Sequence, residues 1–100
     1  MSEFKLDLLA VPNQSFNTTL NGQNVRIEIR TFRGLAYLSL SQNGKYLASG
    51  VKCIPNEGLL TAPVRRLING NLKFRCRTDD YPNYKDFDST DCQLIYEVGE

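Results

Sequence analysis

The stretch Phe16-Asn17-Thr18-Thr19-Leu20-Asn21-Gly22-Gln23-Asn24-Val25-Arg26-Ile27 decides the fold class. An Asn-Gly pair supplies the two positive-φ positions that a two-residue type I′ hairpin turn requires, because Asn tolerates that conformation and Gly adopts it freely. Placing Asn21-Gly22 at such a turn sets Leu20 opposite Gln23, Thr18 opposite Val25, Phe16 opposite Ile27 and Gln14 opposite Ile29. Phe16, Thr18, Val25 and Ile27 then share one face. Arg26 and Glu28 take the other, opposite Asn17 and Ser15. Both strands choose the same buried side, as a half-buried antiparallel pair must.

The same reading applies at Asn43-Gly44. It sets Leu40 opposite Leu47, Leu38 opposite Ser49 and Ala36 opposite Val51, a less polarised pair with both faces partly covered. Phe4 to Leu8 alternates as an opening strand. Leu72 to Arg77 alternates with Leu72, Phe74 and Cys76 inward, and Cys92 to Val98 reads as the closing strand. Val64 to Ile68 fits either a short strand or a helical turn, which the third pair, Asn69-Gly70, ends. Thr78 to Thr90 is an acidic and aromatic loop. No window sustains a helical period over several turns, and short strands between regular turn signals indicate a small antiparallel barrel or sandwich. The expectation is one all-β domain over residues 1–100, with about seven strands.

Composition narrows the function. The chain is 41% hydrophobic and 23% charged, with a formal charge of +1. So balanced a chain has no long-range field to gather nucleic acid or anionic lipid. Residues 1–7 alternate apolar and polar side chains instead of forming a basic start and an apolar core, and Leu8 to Val11 is the longest apolar run. Neither a secretory leader nor a membrane span is expected, and maturation in a cytoplasm follows. Cys53, Cys76 and Cys92 are odd in number and lack metal-ligand spacing, so they read as small core hydrophobes.

There is no histidine. The commonest general base and the preferred nitrogen ligand for zinc are both missing. Cys76 stands between Arg75 and Arg77, but strand neighbours point to opposite faces, so those guanidiniums turn away from the thiol. The aspartates at 79, 80, 86, 88 and 91 do not follow the calcium-loop pattern and read as turn-capping residues of a solvated loop. No enzyme activity, cofactor or metal is expected. Lys73, Arg75 and Arg77 share one outward strand face, downstream of Arg65-Arg66. That strip is the electrostatic half of a single-strand nucleic-acid site and supplies the alternative reading, a small β-barrel that binds such strands. A solvated face, or pairing with the acidic loop, accounts for it more simply.

Several short elements recur in a particular order. They are Leu9-Ala10-Val11-Pro12-Asn13-Gln14-Ser15-Phe16, Leu20-Asn21-Gly22-Gln23, Ile29-Arg30-Thr31-Phe32-Arg33-Gly34-Leu35, Gly50-Val51-Lys52-Cys53-Ile54-Pro55, Asn71-Leu72-Lys73-Phe74 and Asp79-Asp80-Tyr81-Pro82-Asn83-Tyr84-Lys85-Asp86-Phe87. Their order and spacing, from about Leu8 to Tyr96, resemble the baseplate plug family of contractile-tailed bacteriophages. One segment departs from that pattern: Pro63-Val64-Arg65-Arg66-Leu67 stands where the family tends to be aromatic-rich. The resemblance implies a virion component without a reaction of its own, assembled in the host bacterial cytoplasm and sited in the tail baseplate. It would pack around the hub and spike and hold neighbouring wedge or tube subunits, in several copies around a ring. The partner-contact residues expected are Arg30, Phe32 and Arg33, with Tyr81, Tyr84 and Phe87 from the acidic loop, since exposed aromatic and basic side chains anchor interfaces.

Overall fold

The computed structural model describes residues 3–77, 80–87 and 91–98. Seven strands and one short helix follow in the order β1 (Glu3–Leu6), β2 (Asn13–Leu20), β3 (Gln23–Phe32), β4 (Leu35–Gln42), β5 (Lys45–Lys52), α1 (Ala62–Ile68), β6 (Gly70–Cys76) and β7 (Cys92–Val98). They form two antiparallel sheets, a four-stranded meander β2-β3-β4-β5 and a three-stranded sheet β1-β7-β6. The fold is therefore sandwich-like, with no closed barrel. No helix among the described residues is long and apolar enough to cross a membrane.

The β2-β3 hairpin takes the register read from its turn: Leu20 faces Gln23, Thr18 faces Val25, Phe16 faces Ile27 and Gln14 faces Ile29. Asn21 and Gly22 both have positive φ, at 52° and 73°. The β4-β5 register corrects the sequence reading. The turn is at Asn43-Gly44, and Ser41 faces Tyr46, but Leu40 then faces Ala48 and Leu38 faces Val51. Two bulges in β5 take up the extra residues. At the second, Gly50 has a φ of 60° and its N–H donates to the Ser39 hydroxyl at 2.9 Å. An unbulged strand would have turned Ser49 into the core. The bulges instead place Ala48, Val51 and then Cys53 on the inner side, where the Cys53 N–H continues the ladder to the Ala36 carbonyl.

The third hairpin turn is not at Asn69-Gly70. It is Arg33-Gly34, where φ values of 52° and 78° join β3 to β4. Asn69 ends α1 instead. It adopts the left-handed conformation (φ 50°, ψ 51°) and donates its N–H to the Arg65 carbonyl. The left-handed Asn of a type I′ turn serves equally as a helix C-cap. Gly70 must follow it, because a Cβ there would sit 2.3 Å from the Glu97 carbonyl oxygen.

One core lies between the sheets. Ile27, Ile29, Leu38 and Leu40 from the meander meet Leu72, Phe74, Leu94 and Tyr96 from the other sheet, with Val64 and Ile68 of α1 closing one side. The Tyr96 hydroxyl donates to the Ile68 carbonyl and ties the helix to β7. All three cysteines are buried. Cys76 and Cys92 face each other at the end of the β6-β7 ladder with sulfurs 2.7 Å apart.

Candidate interaction surface

On the outer face of the meander, β3, β4 and β5 present a cross-strand row of Arg30, Tyr37 and Lys52. Phe32 is on the same strand face as Arg30, two residues on, and 61% exposed. The Arg33 guanidinium, carried by the turn, covers the Phe32 ring at 5.3 Å. Tyr81 is 46% exposed and lies against the ammonium of Lys52, 4.7 Å from its ring centroid. The row thus brings together two segments far apart in sequence, the β3-β4 turn and the loop after β6. Arginine and tyrosine on a fixed sheet are the residue types that anchor interfaces.

A charged network fixes part of this face. Arg30 Nη2 reaches Glu28 Oε2 at 3.1 Å, while the Tyr46 hydroxyl donates to Glu28 Oε1 at 2.8 Å. Arg26 Nη2 donates to the Ser15 hydroxyl at 2.9 Å. The hydrogen bond from Tyr46, with Arg30 adding to it, holds the Glu28 carboxyl below the usual carboxylate range. The same bond raises the Tyr46 phenol, whose ionisation would set two negative charges together. Glu28 and Tyr46 escaped the sequence reading because their pairing crosses two strands and depends on register.

The acidic loop is divided by the structure. A single 3-10 turn over Tyr84–Asp86 is started by the Asn83 side chain, which accepts from the Lys85 N–H. It points Phe87 inward. Phe87 is only 2% exposed and stacks on Phe74 with ring centroids 5.4 Å apart. Expected as a contact residue, Phe87 instead belongs to the core, since its apolar ring fills the end of the sandwich that this loop covers. Tyr84 is half-buried and packs against the same core. Only Tyr81 of the three stands out to solvent. Asp79 and Asp88 lie outside the described residues.

The basic strip that suggested nucleic acid is paired within the chain. Lys73 meets Glu97 at 2.9 Å, Arg75 meets Glu3, and Arg77 meets Asp91 at 3.0 Å. Arg75 keeps the Glu3 carboxyl below its usual range. A strip neutralised in this way offers little net charge to a phosphate backbone. Among the described residues no group of side chains is placed to hold a metal ion. Burial pushes the Cys53 thiol up to about 12 and raises Cys76 and Cys92 as well, the opposite of what a nucleophile requires.

The fold and this face define the class: a small antiparallel sandwich that presents polar and aromatic side chains on one sheet. A protein-family model described as the cyanophage baseplate plug, Pam3 plug gp18, matches residues 1–99. The chain belongs to that family of phage baseplate plugs, and a structural role in the tail baseplate of the virion goes with membership. No curated protein matches the chain.

Proposed function

We propose that the protein is a non-enzymatic part of a contractile tail baseplate, assembled in the host cytoplasm. In this reading several copies pack around the hub and spike and hold neighbouring wedge or tube subunits until contraction. The family match over residues 1–99 carries the proposal. The contact surface is the end of the meander where Arg30, Phe32, Arg33 and Tyr81 are held by neighbouring strands. Tyr84 contributes from its half-buried position. The Arg33 guanidinium over the Phe32 ring and the Lys52 ammonium against Tyr81 hold these side chains, which lowers the ordering entropy lost on docking.

The test is tail assembly with single variants: Phe32→Ala, Arg33→Glu and Tyr81→Ala. Each is expected to leave the isolated domain folded, by circular dichroism, and to reduce its incorporation into purified tails. Normal incorporation of all three would refute this surface. Purified baseplates that lack the wild-type chain altogether would refute the assembly role itself.

A further inference from the structure

Four strands end the two sheets, and three of those edges are guarded. β6 is covered by the chain before α1: the Asn56 N–H donates to the Phe74 carbonyl at 2.7 Å and the Leu59 N–H to the Leu72 carbonyl at 2.9 Å. The Asn56 side chain satisfies both backbone groups of Cys76. β5 carries two bulges and a lysine at each end. β1 spans only Glu3–Leu6, with Glu3 and Lys5 on it and Asp7 after it. These are the devices by which sheet proteins prevent unwanted strand addition.

β2 has none of them. Asn13–Leu20 is long, regular in its pairing, and contains no charge, proline or bulge. No charged residue occurs anywhere between Asp7 and Arg26, in a chain that is 23% charged. Depletion of charge on this scale is the compositional mark of an interface centre. Beside the edge, Leu9 is 67% exposed and Val11 is 36% exposed. Leu9 is also held in place: its N–H donates to Gln14 Oε1 at 3.0 Å, and Gln14 Nε2 donates back to its carbonyl at 2.8 Å. The Leu9 backbone is thus fixed before any partner arrives, so less ordering entropy is lost on docking.

We propose that the β2 edge pairs with the β2 edge of a second copy, antiparallel about a twofold axis. The residues flanking a two-residue hairpin loop form its closing hydrogen-bonded pair, so Leu20, Thr18, Phe16 and Gln14 bond inward to β3. Asn13, Ser15, Asn17 and Thr19 therefore aim their N–H and C=O groups at the open side. The twofold register sets Asn13 opposite Thr19 and Ser15 opposite Asn17, and each pair exchanges both of its hydrogen bonds. At the axis Phe16 meets its counterpart in the close, non-hydrogen-bonded position, an aromatic cross-strand pair.

A second copy is the occupant because this edge matches itself. Neither strand brings a charged residue of its own to the seam, and the Arg26 guanidinium that donates to the Ser15 hydroxyl lies on the exposed outer face. The chain's other edges are charged, bulged or covered, so they do not fit it. The contact is isologous and closes at two copies. It adjoins the proposed baseplate contact surface, because Asn13 is the cross-strand partner of Arg30.

Asn17→Pro tests the pairing. The Asn17 N–H points to the open side, so proline there removes an edge donor and takes nothing from the β2-β3 ladder. Sedimentation velocity from about 1 to about 200 μM is expected to show a concentration-dependent dimer for the wild type. Asn17→Pro should weaken that dimer by about 100-fold or more, with an unchanged circular dichroism spectrum. A wild type that stays monomeric throughout, or an Asn17→Pro chain that dimerises equally well, overturns the proposal. Should the variant misfold, hydrogen exchange on the wild type decides. Protection of the Asn13, Ser15, Asn17 and Thr19 amides must rise with concentration, and protection independent of concentration overturns it equally.

Discussion

Phe87→Ala separates the core from the contact surface within one loop. The Phe87 ring is 2% exposed and stacked on Phe74, itself 0% exposed, with an interplanar angle of 22°. Truncating a buried phenylalanine costs about 3–5 kcal/mol, in which the lost ring pair accounts for about 0.5–1.5 kcal/mol. A domain of this size has about 5–15 kcal/mol in total, so the variant should lose about a fifth of its stability or more. Its melting temperature should fall by roughly 12–40 °C. Tyr81→Ala removes only an exposed ring and its contact with Lys52, and should cost about 1 kcal/mol or less. Urea denaturation read by circular dichroism measures both, with the slope of the transition checked for two-state behaviour. Phe87→Leu keeps an apolar side chain at the site, should lose about 1–2 kcal/mol, and gives a measurable transition if the alanine variant is unfolded. A loss below about 1 kcal/mol in Phe87→Ala, or an equal loss in Tyr81→Ala, would refute this division of the loop.

Acid should destabilise the fold through Glu28 and Glu3. Both carboxyls are held below their unfolded value of 4.5, so the stability they give is present above that pH and is lost as the pH falls through their folded values. Tyr46→Phe removes the main cause at Glu28 and should flatten the acid limb of a stability-pH profile; an unchanged limb would sink the assignment. Alkali acts through the buried thiols: Cys53 is raised from 9.0 to about 12, so the unfolded chain loses this proton first and about 4 kcal/mol of stability should disappear as the pH climbs between those values; Cys53→Ala should make the slope shallower, with Cys76 and Cys92, also raised, supplying the rest. Gly70→Ala forces a Cβ to within 2.3 Å of the Glu97 carbonyl oxygen and should cost about 1–3 kcal/mol in denaturation, whereas Ser49→Ala, in an exposed position, should cost almost nothing.

The hairpin at Asn21-Gly22 was readable to the residue because turn and alternation say the same thing there. Local signals failed where one conformation serves two purposes. A left-handed asparagine closes a hairpin at position 43 and caps a helix at position 69, and only the helical segment before Asn69 separates the two uses. The register beyond Ser41 was hidden for a different reason. Bulges at β5 are selected by which side chains the core accepts, and the fit of Val51 and Cys53 under Leu38 and Ala36 is a tertiary matter. Burial of Phe87 but not Tyr81 is of the same kind, since both are aromatic residues in one polar loop. The inward alternation of Leu72, Phe74 and Cys76 was legible; the carboxylate partners of Lys73 and Arg75 were not, because Glu97 and Glu3 come from opposite ends of the chain.

Those distant pairings bear on function through the distribution of charge. On the three-stranded sheet Lys73 and Arg75 each meet a carboxylate within the chain. On the meander, Arg30 shares Glu28 with Tyr46, and its guanidinium side chain remains 69% exposed. Arg33 has an aromatic partner in Phe32, and Lys52 has one in Tyr81. A cation over a ring has no compensating negative charge beside it, whereas a cation in a salt bridge does. The β2 edge, free of charge, selects by backbone hydrogen bonding. One small sandwich therefore carries two docking chemistries on the same sheet, adjoining where Arg30 faces Asn13.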